Sequence, residues 1–373
     1  MKSWKESSWS GRLKLVAFSV VPLVLLLCIA EGLAFMATNR TISMTTDPVT
    51  GQTYYSMKIG DWPWSHRSLT PINTLGLPDR EFVGYVPKGQ CVHVLLAGDS
   101  FTFGDATTSE FRWGNLLQGM TARRYPDRCI RFFNIGVRNT TIDTTIVRIH
   151  QVLPLIQPDV VILSQYQNDL TDLANPGSPA WVPYGSGHKY DSHWGERLGR
   201  VVPGYNNSLL RYLTYNAFAF MIEHNIQYDV LSTWSVLETP SKKDYAMKLE
   251  KIYHDLYGSL VQDMRQRHIE LAVLIFPSKM DVLAKRSPEG AFFSNLAREF
   301  DVPQLSLMPA LDANRKGMPY YLYDGHMNEF GNRVCANAIW DWLFKSQPAP
   351  LAAVRRSGNA VVAMGAATAN GRH

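Results

Sequence analysis

Four short runs stand out along the chain: CVHVLLAG (91–98), CIRFFNIG (129–136), VVILSQ (160–165) and ELAVLIF (270–276). Each is almost wholly apolar and rich in β-branched or aromatic residues, which predicts a strand buried on both faces. Between and after them the apolar positions change to helical spacing, over 113–120, 143–155 and 244–267. The longest of these helices carries Leu249, Ile252, Leu256, Leu260 and Met264 on one face. A last helix is predicted over 330–344, with Val334, Ala338, Ile339 and Trp342 at the same spacing. Continuous apolar strands alternating with amphipathic helices predict an α/β domain over 89–346, built on a parallel sheet covered on both faces.

Four stretches break this pattern. From Leu15 to Ala30 there is no charge and only Ser19 is polar, and after Glu31 the apolar run resumes to Ala37. Such a stretch is long enough to span a bilayer. A cleaved signal peptide and an uncleaved anchor both fit its length, but neither end offers the small residues that cleavage needs, so a transmembrane helix over 15–37 is the favoured expectation. The basic residues ahead of it place 1–14 in the cytoplasm and the remainder outside the inner membrane, in the periplasm of a bacterial cell. Residues 38–88 mix Pro, Gly and isolated aromatics and read as an extracytoplasmic stalk leaning on the domain. Residues 171–240 sit where a short crossover is expected, and from Trp181 to Trp234 eleven of 54 residues are aromatic. That insertion is either a lid or substrate wall, or a subdomain with its own small core. Residues 347–373 are rich in Ala and Gly without any period, as in a disordered tail.

The net charge of +5 misleads if taken whole. Without the basic ends, 1–14 and 346–373, the body holds 30 basic and 31 acidic residues. A near-neutral body has no footprint for phosphate backbones, so nucleic acid is not an expected partner. With no CxxC, HExxH or clustered Cys/His set, no metal site and no cofactor are implied.

In a doubly wound sheet, ligands bind beyond the carboxyl ends of the strands. Those ends carry GDSFTFG with Ser100, NIGVRNTT (134–141), YQND with Asn168 and Asp169, and finally DGHMNEFGN with Asp324 and His326. Acyl transfer needs these residue types. A serine hydroxyl attacks only when a base takes its proton, and a neutral imidazole suits that task near neutral pH. His326 is the candidate base, and Asp324, two residues away in an extended loop, is placed to hold its imidazole. The oxyanion needs donors: the backbone N–H of Ser100, a backbone N–H from the 136–139 turn, and the side-chain amide of Asn168.

With these blocks in view, the chain from about Ile72 to Phe344 resembles the SGNH (GDSL-type) hydrolase superfamily. The GDS block, PDVVILSQYQND and DGHMNEFGNRVCANAI carry the likeness, and INTLGL with the N-terminal span is similar to its membrane-anchored members. The resemblance implies a flavodoxin-like three-layer α/β/α sandwich, a Ser100–His326–Asp324 triad and ester hydrolysis or acyl transfer on cell-surface glycans. It also implies that the turn donor is the N–H of Asn139, where the family usually has Gly; Asn accepts a left-handed backbone better than other side chains do. A second departure is the Asp-x-His spacing, where many members have one residue more.

The expected function is therefore that of an anchored extracytoplasmic serine esterase removing O-acyl groups, O-acetyl first among them, from a glycan or other envelope component. An O-acyltransferase with the same triad, and a silent scaffold of an envelope assembly, stay open. Cys91 and Cys129 each precede a strand-end Gly by seven residues and so take equivalent places at the amino ends of neighbouring strands. Two readings stay open for them: a disulfide, or two small buried strand residues.

Overall fold

The computed structural model describes residues 18, 20–30, 43–46, 53–59, 66–73, 77, 91–138, 140–173, 243–321, 325–346 and 351–353. Five strands, β4 (Val92–Ala97), β5 (Ile130–Asn134), β6 (Val160–Tyr166), β7 (Glu270–Phe276) and β8 (Gln304–Ser306), form one sheet in the order β5-β4-β6-β7-β8. All its pairings are parallel. Numbered within the sheet, that order is 2-1-3-4-5, the flavodoxin-like doubly wound arrangement.

Alternate residues of each strand point into different layers. Leu95, Ala97, Val161, Leu163, Val273 and Ile275 pack on one side with α3 (Ile142–Ile156), α5 (Lys243–Gln266) and α7 (Pro288–Glu299). Val94, Leu96, Val160, Ile162, Ala272 and Leu274 pack on the other with α2 (Trp113–Arg124), α8 (Met308–Ala313) and α9 (Glu329–Lys345). Two apolar layers around one sheet make the predicted three-layer sandwich. The four anticipated strands and four helices are all present, within a few residues of the anticipated ends. Absent from that reading are β8, only three residues long and half-buried, and the helices α6 (Lys279–Ala284), α7 and α8.

At the amino ends of β4 and β5 the register sets Val92 opposite Ile130, so Cys91 faces Cys129. The two form a disulfide with Cα atoms 4.6 Å apart. Closing a loop across 38 residues removes enough unfolded-chain freedom to stabilise the fold by about 4 kcal/mol. Cys335 is a buried free thiol in the opposite layer.

Within the stretch read as a stalk, β1 (Ser43–Thr46), β2 (Thr53–Ile59) and β3 (His66–Pro71) make a three-stranded antiparallel sheet. Beyond β3, Asn73 Oδ1 accepts the Leu77 amide at 3.0 Å and Leu77 is buried in the α3/α5 layer, so the stretch docks on the domain at Leu77. The tail reading is corrected for three residues. Leu351 and Ala353 are buried, and Glu270 accepts the amides of Ala352 (2.6 Å) and Ala353 (2.7 Å). A carboxylate that satisfies two backbone donors gives this stretch a fixed seat that its Ala-rich composition does not reveal.

Among the described residues no helix is long and apolar enough to cross a membrane. Of the 15–37 stretch, residues 18 and 20–30 are described; they are helical and expose large apolar side chains, including Leu25, Leu26 and Ile29. The rest of that stretch, residues 174–240 of the insertion, and 347–350 and 354–373 of the tail lie outside the described residues, as do Asn139 and Asp324.

Candidate active site

The nucleophile candidate owes its position to the turn that leaves β4. Gly98 has φ +149°, and a side chain there would run into Thr102 and Ser164. Asp99 then caps α1 (Ser100–Phe103), its Oδ1 accepting the Phe101 amide at 2.9 Å. Ser100 is therefore the first helical residue, where backbone N–H groups lack intrahelical acceptors. The turn after β5 is drawn against this helix. Asn134 donates its amide to Thr102 O (2.7 Å) and accepts the Gly136 N–H (2.9 Å), while the Val137 N–H donates to Gly98 O (3.1 Å). Any side chain at Gly136 would strike the backbone at Thr102 and Phe103, so glycine is what allows this approach.

His326 arrives from the other end of the chain and meets Ser100 with Nε2 2.8 Å from Oγ. Its loop is fixed on several sides. The Tyr321 amide donates to His326 O (3.1 Å), Tyr320 hydroxyl to Pro277 O (2.7 Å), and Thr107 hydroxyl to Met327 O (3.1 Å). Buried Asn332 joins the two halves: its Oδ1 accepts the Trp113 amide (3.1 Å), and its Nδ2 reaches Met327 O (3.2 Å) and Thr107 Oγ1 (3.3 Å). The ring of Phe101 lies between Tyr166, stacked at 3.9 Å, and the imidazole, at 5.2 Å.

Asn168 opens α4 (Asn168–Asp172) at the end of β6, and its Nδ2 donates to Asp172 Oδ2 at 2.7 Å. Ser100, His326 and Asn168 thus stand at the carboxyl side of the sheet, as anticipated. The anticipated acid Asp324 and turn donor Asn139 fall outside the described residues. Sequence reasoning missed Asn134, Asn332 and an ion pair between Asp105 and Arg138 (Nε to Oδ2, 2.6 Å). Arg138 lies inside the NIGVRNTT block but Asp105 falls one residue past GDSFTFG, so the sequence carries no signal that pairs them.

Two buried carboxyl groups lie behind the nucleophile. Burial pushes Asp99 up to about 6, against the opposing pull of the Phe101 amide and His326. Burial, then the nearby Asp99, raises Asp169 well above the carboxylate range, although Asp169 accepts the Tyr166 amide at 3.1 Å. A raised Asp pKa has a definite sign. Above about pH 6 the folded protein carries the Asp99 charge at a cost; as pH falls the folded state takes up the proton first, and below about pH 4 the cost is gone. Asp99→Asn, which keeps the acceptor for Phe101, is expected to stabilise the fold by up to about 3 kcal/mol at pH 7 to 8. Melting curves of both proteins from pH 4 to 8 check this, since a gap that stays constant with pH would not come from this ionisation.

A serine hydroxyl in contact with an imidazole, beside backbone N–H groups at the carboxyl edge of a parallel sheet, defines a serine hydrolase site. Residues 94–187 match the GDSL-like Lipase/Acylhydrolase family, and the chain is a serine ester hydrolase. No curated protein matches the chain. Among solved structures it is similar to the psychrotrophic esterase EstA from Pseudoalteromonas sp., at 11% identity over 67% of this chain and 94% of that one, with a TM-score of 0.38. It is also similar to the acetylxylan esterase Axe2 from Geobacillus stearothermophilus, at 14% identity over 67% and 93%, with a TM-score of 0.38.

Proposed function

We propose that the protein is a membrane-anchored extracytoplasmic esterase that removes O-acyl groups, O-acetyl first among them, from a glycan or other envelope component. The observation that carries the chemistry is the 2.8 Å contact between Ser100 Oγ and His326 Nε2. His326 takes the Ser100 proton as Oγ attacks the ester carbonyl, then gives it to the departing alcohol. Asp324 steadies the imidazolium, and the N–H groups of Ser100 and Asn139 with the Asn168 amide receive the oxyanion. Water then resolves the acyl-serine.

Three observations support the setting. The Cys91–Cys129 disulfide suits an oxidising compartment. The apolar side chains displayed by residues 20–30 suit a lipid surround, with basic residues ahead of them on the cytoplasmic side. The aromatic residues of the 171–240 insertion suit stacking on sugar rings. The test uses the full chain in detergent with an activated acetyl ester and with acetylated oligosaccharides, alone and beside unacetylated acceptors. Acetate release from the oligosaccharide is expected. Transfer to the acceptor without acetate release would make the protein an acyltransferase, and silence on every substrate would make it a scaffold.

A further inference from the structure

We propose that Asp105, held by Arg138, positions the water that resolves the acyl-serine and so commits the intermediate to hydrolysis over transfer to an alcohol. The inference rests on the acyl-serine reading above. Asp105 is buried, and both oxygens of its carboxylate are fixed: Oδ1 accepts the Ala106 amide at 3.0 Å and Oδ2 accepts Arg138 Nε at 2.6 Å. The segment around it is locked to the histidine loop, with Tyr321 hydroxyl on Ala106 O at 2.6 Å and Thr107 hydroxyl on Met327 O at 3.1 Å. Asp105 and His326 therefore belong to one rigid piece.

Oδ2 of Asp105 stands 3.9 Å from His326 Nε2, the same nitrogen that meets Ser100 Oγ. That gap is too long for a direct hydrogen bond and suits one bridging oxygen. An oxygen about 2.8 Å from both atoms subtends roughly 90° between them, close to the angle between the two O–H bonds of water. Water fills both contacts: one O–H points to Nε2 and the other to the carboxylate. The oxygen attacks the acyl carbonyl carbon while the first proton passes to Nε2. The carbon–Oγ bond then breaks, Oγ takes that proton back, and the second O–H leaves as the hydroxyl of the carboxylic acid. An alcohol has only one O–H. With that proton committed to Nε2, it presents a lone pair or a carbon to the Asp105 carboxylate, which is repulsive or unpaired.

The test compares the full-length wild type with Asp105→Asn and Arg138→Met, using p-nitrophenyl acetate with glycerol as the alcohol. The p-nitrophenol burst reads acylation and reports that each variant is folded; the ratio of acetate to glyceryl acetate reads the fate of the acyl-enzyme. For Asp105→Asn the burst is expected to persist, hydrolysis to slow about 10- to 100-fold, and the product to shift toward glyceryl acetate. Arg138→Met, which keeps the carboxylate but frees it, is expected to shift the ratio the same way by less, and carries the comparison alone if Asp105→Asn loses its burst. A wild-type ratio in the variants, or hydrolysis and transfer falling by the same factor, overturns the role of Asp105. A wild type whose Ser100 is left unlabelled by a fluorophosphonate overturns the acyl-serine reading itself, and is recognised as such before any variant is compared.

Discussion

Ser100→Ala is expected to lower kcat for ester hydrolysis by on the order of 10⁵- to 10⁶-fold, about 7 to 8 kcal/mol of barrier, and His326→Ala by a similar factor. The two act as one unit, because the hydroxyl is a nucleophile only while the imidazole accepts its proton. The double variant should therefore be little worse than either single one. The same logic applies to covalent labelling: a fluorophosphonate should attach to Ser100 in the wild type and to nothing in either variant. Labelling that survives in Ser100→Ala would put the nucleophile elsewhere, and additive losses in the double variant would mean that serine and histidine serve separate steps.

The parallel sheet was readable because burial on both faces leaves an apolar run with nothing to confuse it. β7 is ELAVLIF from end to end, and its anticipated limits match the structure. β8 was not readable for the opposite reason. It pairs on one side only, its three residues are half-buried, and so QLS carries no pattern. The antiparallel β1–β3 sheet was hidden likewise, since short strands of mixed polarity look like a linker until the pairing partner is known.

The site divides along a similar line. Ser100, Asn168 and His326 could be found because each ends a legible strand or precedes a legible helix, and their residue types limit the chemistry. Asn332 could not. Its position inside α9 marks it as one more helical residue, and only the fold shows that its amide ties the Trp113 backbone to the histidine loop. Asp105 and Arg138, 33 residues apart, were similarly silent. A lone acid and a lone base in two loops have no meaning until the turn after β5 is packed against α1, and that packing depends on what Asn134 and Gly136 do in three dimensions.

For Asn168→Ala we expect kcat to fall ~100- to 1,000-fold, on the order of 3 to 4 kcal/mol, with KM nearly unchanged. The split follows from when the interaction matters. A neutral ester carbonyl takes little from an amide donor, whereas the oxyanion formed as Ser100 attacks concentrates charge on that oxygen, so the loss falls on the transition state. The structure adds a second arm to the experiment. The amide carries two N–H groups, and the bond from Nδ2 to Asp172 Oδ2 at 2.7 Å fixes the plane in which the other is aimed. Asp172→Ala keeps the donor but loosens its aim, and should cost kcat about tenfold, well short of Asn168→Ala, again at constant KM. Asp172 is in that sense a positioning residue. Steady-state kinetics on one activated ester, with the burst confirming acylation, measures both variants; a KM that rises while kcat holds would show that Asn168 binds the ground-state substrate and that the oxyanion is held by backbone donors alone.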